Sequence, residues 1–302
     1  LEGEQATIRE LTGLSGTSEA VLRGLVNQGV LEPVEVDVDR PYPRAQHDYD
    51  APKLNTYQAE VSARLVEAVA QEKFAPILLD GVTGSGKTET YFEAVAQALK
   101  NDRQVLVLLP EIALTEAFLS RFEARFGAAP ITWHSSLKST ERRRAWRAIA
   151  SGEAQVVVGA RSALFLPYAN LGLIVVDEAH EISFKQEEGV RYNARDVAVM
   201  RGHFEAIPVV LASATPALES LHNAKTGRYT ESKLLTRPGG AKLPEMRIVD
   251  IRGIKLVEGI APDMLDLMKT HIENGNQVLA FINRRGYAPT YLCASCAWQA
   301  CC

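Results

Sequence analysis

Gly81-Val82-Thr83-Gly84-Ser85-Gly86-Lys87-Thr88 is a stretch suited to holding a polyanion. Its glycines let successive backbone N–H groups turn toward one centre. Lys87 adds an ammonium for the β- and γ-phosphates of a nucleoside triphosphate, and the Thr88 hydroxyl is placed to hold Mg²⁺. About ninety residues later the apolar run Leu173-Ile-Val-Val ends in Asp177-Glu178-Ala179-His180. The first carboxylate can serve the same metal, and the second can draw a proton from an attacking water. Together the two motifs predict a Mg²⁺-dependent nucleoside triphosphatase, with Lys87, Thr88, Asp177 and Glu178 as its catalytic residues and Thr88 with Asp177 holding the metal. A third group, Cys293, Cys296, Cys301 and Cys302, falls within the last ten residues. That spacing does not suit a disulfide framework; it reads as metal ligands or a broken-off motif.

Such sites need elements to position them. From residue 56 on, short Val/Ile/Leu runs alternate with helical spacing, at Ile77–Leu79, Val105–Leu109, Ile131–Trp133, Val156–Val158, Leu173–Val176 and Val209–Leu211. Runs that are apolar throughout suit strands covered on both faces, so the expected fold is α/β, a parallel sheet with flanking helices and both motifs at strand C-termini. Tyr91, Ala94, Val95, Ala98 and Leu99 predict one apolar face of a helix that starts at the Gly-rich turn. Residues 1–36 outline two helices, with Ile8, Leu11 and Leu14 and then Val21, Leu22, Leu25 and Val26 as apolar positions. Both a winged-helix remnant and plain packing account for that outline. Pro33, Pro41, Pro43 and Pro52 mark a linker over 37–55. Past Gly239-Gly240, strands at Arg247–Val249 and Val278–Ile282 around a helix at Ala261–Asn274 predict the start of another α/β domain. Lys138–Arg147 carries five basic residues against one Glu, with Trp146 among them; around Arg142–Arg144 this helix reads as a solvated face, with DNA contact the alternative. His134-Ser135 beside Trp133 lacks a carboxylate partner and reads as a DNA-side or packing feature.

With 46% apolar and 23% charged residues, the composition supports a packed core and excludes a disordered chain. No apolar run approaches the roughly 18 residues of a membrane span, and no signal peptide opens the chain, so the cytoplasm is the expected compartment. The net charge of 33 − 37 = −4 excludes a broad polyanion-binding surface; contact with nucleic acid must come from local patches or oriented amides. A start at Leu1 and an end at Cys302 lead to the expectation of a fragment of something longer.

Asp177-Glu-Ala-His180, Ser213-Ala-Thr215-Pro216 and Phe281-Ile-Asn-Arg-Arg-Gly-Tyr-Ala-Pro289 resemble, in order, motifs of superfamily 2 helicases. The last of these, followed by Cys293-Ala-Ser-Cys296 and Cys302, resembles the primosomal protein N′ family of replication-restart helicases, over about residues 5 to 302. Leu108–Thr115 and Gly159–Pro167 match that family's DNA-facing segments. The resemblance implies a partial winged-helix-like domain at 1–36, a RecA-like P-loop lobe at 56–230, the start of a second RecA-like lobe at 231–290, and the start of a cysteine-rich zinc region at 291–302. It implies an ATP-dependent 3′ to 5′ DNA helicase of the primosome that translocates on and unwinds DNA at stalled forks. ATP, Mg²⁺ and Zn²⁺ would be its cofactors. Its partners would be forked or single-stranded DNA, other primosome and replication-restart proteins and single-stranded DNA-binding protein, with no membrane.

By the same resemblance, Gln58 contacts the adenine, and Ser213 and Thr215 link the nucleotide site to the DNA track; ordinary polar caps at element ends are the other reading. Arg161, Ser162, Lys185, Arg191 and Tyr192 contact DNA, with bases stacking along an aromatic-rich segment at Phe184–Tyr192, for which a surface loop with two core-anchoring rings is the other reading. Cys293, Cys296 and Cys302 form a partial zinc site, with Cys301 as an extra and Ala297 where a Gly is usual. The Gly-Arg-Ala-Gly-Arg type segment that completes the γ-phosphate site does not occur in the sequence. This chain alone is therefore expected to bind ATP–Mg²⁺, hydrolyse it poorly and not unwind DNA. Two further readings stay open: a fork-binding scaffold whose nucleotide site is a switch, and an RNA-directed helicase, which gives no account of the cysteines.

Overall fold

A strand lying between two others and under helices has no face in water, so an unbroken apolar run is what such a position selects. The computed structural model describes residues 8–33, 41–110, 116–237, 245–282, 296 and 298. In chain order its main elements are α1 (Ile8–Ser15), α2 (Glu19–Asn27), α3 (Thr56–Ala70), β1 (Ala75–Gly81), α4 (Lys87–Lys100), β2 (Gln104–Leu108) and α5 (Glu116–Phe126). They continue with β3 (Ile131–Trp133), α6 (Ser139–Ser151), β4 (Val156–Gly159), β5 (Leu171–Val176), β6 (Lys185–Gln186), β7 (Tyr192–Asn193), α7 (Ala194–Glu205), β8 (Pro208–Ser213), α8 (Leu218–Lys225), β9 (Thr230–Leu234) and α9 (Pro262–Glu273). Two compact units result, Leu1–Ala241 and Lys242–Cys302.

In the first unit, seven strands pair in the order β3-β4-β2-β5-β8-β1-β9, every pairing parallel. All seven C-termini therefore share one edge of the sheet. Alternate residues of each strand serve opposite layers. Leu79, Val107 and Val175 pack with Leu65, Tyr91 and Phe122 from α3, α4 and α5. Leu78, Leu106 and Ile174 pack with Ile149 and Ala198 from α6 and α7. The expected face Tyr91, Ala94, Val95, Ala98 and Leu99 is buried along α4. From residue 41 on, the expected linker is fastened to the lobe: the Tyr42 and Ala45 amides donate to the side chains of Glu153 (2.8 Å) and Gln155 (2.9 Å), and the Gln46 amide donates to Phe126 O (2.8 Å).

The structure departs from the sequence expectation in three places. β9, with its alternating Thr-Glu-Ser-Lys-Leu, carries too few apolar residues to read as a strand; it pairs along β1 and extends this sheet to Leu234, past the expected lobe end at 230. A two-residue antiparallel pairing, β6 with β7, was not expected either. The predicted strands at Arg247–Val249 and Val278–Ile282 do not form. Ile248, Leu279 and Phe281 are 99%, 94% and 84% exposed, and a β conformation needs a hydrogen-bonded neighbour that the described residues of this unit do not supply. Its helix, α9, does form as expected. Among the described residues no helix is long and apolar enough to cross a membrane.

α7 approaches β8 through Gly202. A Cβ there would overlap Cγ2 of Val209, a β-branched side chain wholly buried in the sheet, and would come within 3.2 Å of Ile207 O. Overpacking of this kind costs about 1–3 kcal/mol, which exceeds or offsets the roughly 1 kcal/mol that Ala gains over Gly inside a helix. Gly202→Ala is expected to give a net loss of stability in urea unfolding. A raised midpoint would show that the α7–β8 contact yields freely.

Candidate functional site

β5, β8 and β1 are neighbours in the sheet, and the chemistry-bearing residues leave their C-terminal ends together. After β1 the chain makes a tight loop, with Ser85 N bonded to Val82 O at 3.0 Å and both Gly84 and Gly86 in the left-handed region (φ 77° and 84°). Gly86 starts α4, and a Cβ on it would run into the Gln58 amide. Lys87 is buried and donates its Nζ across the loop to Gly81 O at 2.9 Å. The Ser85 hydroxyl is buried with no hydrogen-bond partner. A left-handed loop, a buried ammonium, an orphaned hydroxyl and the amide end of α4 together fit a phosphate chain, the ligand that could satisfy them.

Gln58 is held on both sides. It forms a capping box with Asn55 at the start of α3, accepting from Asn55 N at 3.0 Å, and its Nε2 donates to Ser85 O at 2.9 Å. The residue expected near the base is thus bonded to the backbone of the phosphate loop.

Asp177, at the end of β5, is 7% exposed. Its Oδ2 accepts from Tyr91 Oη and its Oδ1 from Glu178 N, both at 2.9 Å. Burial lifts its carboxyl above the ordinary range; the Tyr91 hydrogen bond opposes that, the Glu178 charge adds to it, and Lys87 opposes it. Burial, followed by the charge of Asp177, pushes the Tyr91 phenol well above its ordinary value, which keeps it a donor. The Thr88 hydroxyl opposes part of that rise. Glu178 takes a left-handed backbone (φ 49°) that is costly for a residue with a Cβ, and its side chain is 42% exposed. Its Oε2 lies 3.6 Å from His180 Nδ1, which is hydrogen-bonded to Ser213 Oγ at 2.9 Å. Ser213 Oγ in turn accepts from Thr215 N at 3.1 Å.

Lys87, Thr88, Asp177 and Glu178 therefore converge, and His180 ties them to Ser213 and Thr215. Sequence reasoning missed Tyr91, read only as part of an apolar helix face. The available signal was its type, since packing alone would be served by Phe.

One strand pair away, Arg161 donates through Nη1 to Ser183 O (2.9 Å) and Lys185 O (3.0 Å), joining the segment after β4 to the segment after the Asp-Glu-Ala-His motif. Ser162 and Arg191 are exposed, Lys185 lies 3.5 Å from Glu187, and Tyr192 packs edge-on to Phe165 with ring centroids 5.3 Å apart. Phe184 does not offer the stacking face expected of it: it is 1% exposed, because its ring fills the core layer under α7. Residues 111–115, Cys293, Cys301, Cys302 and most of the 281–289 motif lie outside the described residues. Cys296 is exposed, and among the described residues no cluster of three His, Cys, Asp or Glu is arranged to hold a metal.

Residues 55–224 match the DEAD/DEAH box helicase family. Proteins named replication restart protein PriA are similar over most of the chain. That of Rickettsia conorii is 45% identical over 236 residues, covering 78% of this chain and 36% of the relative. That of Haemophilus influenzae is 38% identical over 295 residues (96% and 40%), and that of Bacillus subtilis 37% over 303 residues (98% and 38%). The chain thus spans well under half the length of these relatives. The crystal structure of the DUF1998 helicase MrfA has the same fold, with a TM-score of 0.50 and 19% identity over 89% of this chain and 39% of that one.

The Tyr91–Asp177 pair sets a pH dependence. A carboxyl whose pKa is raised in the folded state binds protons more tightly there than in the unfolded chain. Its contribution is fully present below the ordinary value of 3.8 and is lost as pH rises through the folded value. Asp177→Asn, whose amide oxygen can still accept from Glu178 N and which carries no titrating carboxyl, is expected to lack that loss. Tyr91→Phe strands an acceptor and is expected to cost about 1–3 kcal/mol, more at neutral pH than near pH 3.8. Denaturant unfolding at the two pH values checks both; equal costs for Tyr91→Phe would refute the charge argument.

Proposed function

Because the chain belongs to the DEAD/DEAH box helicase family, we propose that it forms the nucleotide-binding lobe of an ATP-driven DNA helicase acting in replication restart. The observation that carries the reading is the convergence of the buried Lys87 ammonium, the phosphate loop and the Tyr91-held Asp177 at the ends of adjacent strands. Residues 81–88 hold the triphosphate through amides and Lys87, while Thr88 and Asp177 hold Mg²⁺. Magnesium, when bound, neutralises charge on the phosphates. Glu178 accepts a proton from the attacking water. His180, bonded to Ser213, carries a shift at Glu178 toward Thr215. The Gln58 amide keeps one N–H and one lone pair beyond its two bonds, a donor and acceptor for the N7 and N6 edge of adenine.

The similarity to replication restart proteins supports the rest of this reading. The whole protein moves 3′ to 5′ on forked and single-stranded DNA in the cytoplasm, with primosome proteins and single-stranded DNA-binding protein as partners. Arg161, Ser162, Lys185, Arg191 and Tyr192 face the DNA. The lobe occupies about 56–234, with a winged-helix-like part before it and the start of a second lobe after it. Thiolates at the Cys293-x-x-Cys296 spacing, with Cys302, have the chemistry of a zinc knuckle.

Calorimetric titration of the 302-residue chain with ATP tests the central claim. Uptake is expected with magnesium, and Lys87→Ala is expected to weaken it at least a hundredfold, about 2.7 kcal/mol. Magnesium-independent uptake, or an unaffected Lys87→Ala variant, would overturn the reading.

A further inference from the structure

Beyond the nucleotide site, an open cleft of about 420 Å³ lies at the far end of the sheet's C-terminal edge, between the end of β3 and α6. Its walls include Trp133, Ser135, Ser139, Arg142, Arg143 and Trp146. Positions 139, 142, 143 and 146 fall on one face of α6, which turns the apparent solvated face of that helix into one wall of a groove. Arg142 is already engaged: its guanidinium sits 5.6 Å over the Trp133 ring and donates to His134 O and Ser135 O at 3.3 and 3.0 Å. It fixes the turn and backs one indole. Arg143 and Trp146 are different. Among the described residues neither makes a hydrogen bond, ion pair or ring contact, and Trp146 is 48% exposed.

An indole left half in water beside an unpaired guanidinium, two hydroxyls and the amide end of a thirteen-residue helix lacks a partner that is aromatic on one side and anionic on the other. The groove also continues the proposed track. Trp133 is in register with Gly159 on β4, and Ala160 N donates to Trp133 O at 3.0 Å, so Arg161 lies two residues beyond the strand paired with the one that borders the cleft. Neighbouring strands are roughly 4.8 Å apart, a step that one strand of nucleic acid bridges.

We propose that this cleft is a single-stranded DNA subsite in which Trp146 stacks on a base and Arg143 pairs with the adjoining phosphate. Arg142 and Trp133 act as the rigid wall. The subsite lies outside the segments that the family resemblance marks as DNA-facing, and it rests on the DNA-motor reading above. Stacking on an aromatic is indifferent to base identity, as movement along any sequence requires.

The test titrates the 302-residue chain into a short labelled thymidine strand and into an abasic strand of equal length. The parent is expected to favour the thymidine strand, with quenching of Trp fluorescence. Trp146→Ala is expected to bind it roughly tenfold more weakly, to lose the preference over the abasic strand, and to keep magnesium–ATP uptake unchanged. Trp146→Phe recovers most of the loss. Arg143→Ala weakens both strands and lowers the salt slope by about 0.7. Parent-like binding by Trp146→Ala and Arg143→Ala, or equal binding of abasic and thymidine strands by the parent, overturns the subsite and leaves the motor reading standing. If the parent takes up magnesium–ATP and binds neither strand, the DNA-motor reading falls and the subsite falls with it.

Discussion

A carboxylate shut away from water is tolerable only while donors face it, and Asp177 has two: the phenol of Tyr91 and the amide of Glu178. The first donor comes from α4, the helix that begins at the phosphate loop; the second comes from the turn that follows β5. One acid thereby joins the two halves of the proposed nucleotide site across the end of β8. Its position depends on the depth at which α4 packs, because Tyr91 is wholly buried and cannot adjust independently of the helix. The layer holding Tyr91, Phe92, Phe118, Phe122 and Phe126 is therefore part of the site's precision as well as of its stability.

From that acid outward the groups are linked by hydrogen bonds or close charge contacts. Glu178, His180, Ser213 and Thr215 form one chain of contacts across the ends of β5 and β8. Arg161 forms another, tying the segment after β4 to Ser183 and Lys185, which follow the same acidic turn. Both routes start within a few residues of Asp177 and end where the lobe meets solvent. A change of charge at the nucleotide site thus has two short, physically continuous ways to reach the exposed edge.

Most of this architecture was legible in the sequence because it is written in burial. The six apolar runs became β1 to β5 and β8, and the octet at 81–88 became a loop between strand and helix. What escaped is set by surroundings instead of by local composition. β9 is a strand because β1 offers it a ladder, and its residues alone do not say so. The runs at 247–249 and 278–282 have strand composition without a partner in their unit. Tyr91 and Phe184 show the same limit for side chains. One aromatic taken for core filler holds the acid, and another taken for a stacking platform is core filler.

The strand order also dictates when the molecule can first become itself. β1 lies between β8 and β9, so the strand that carries the phosphate loop has no paired neighbour until residues 208–234 have left the ribosome. During synthesis its Ile77, Leu78 and Leu79 wait as an uncovered apolar ribbon, a state open to chaperones and to misassociation. The first strand of the sheet to be made is in this sense the last to be finished.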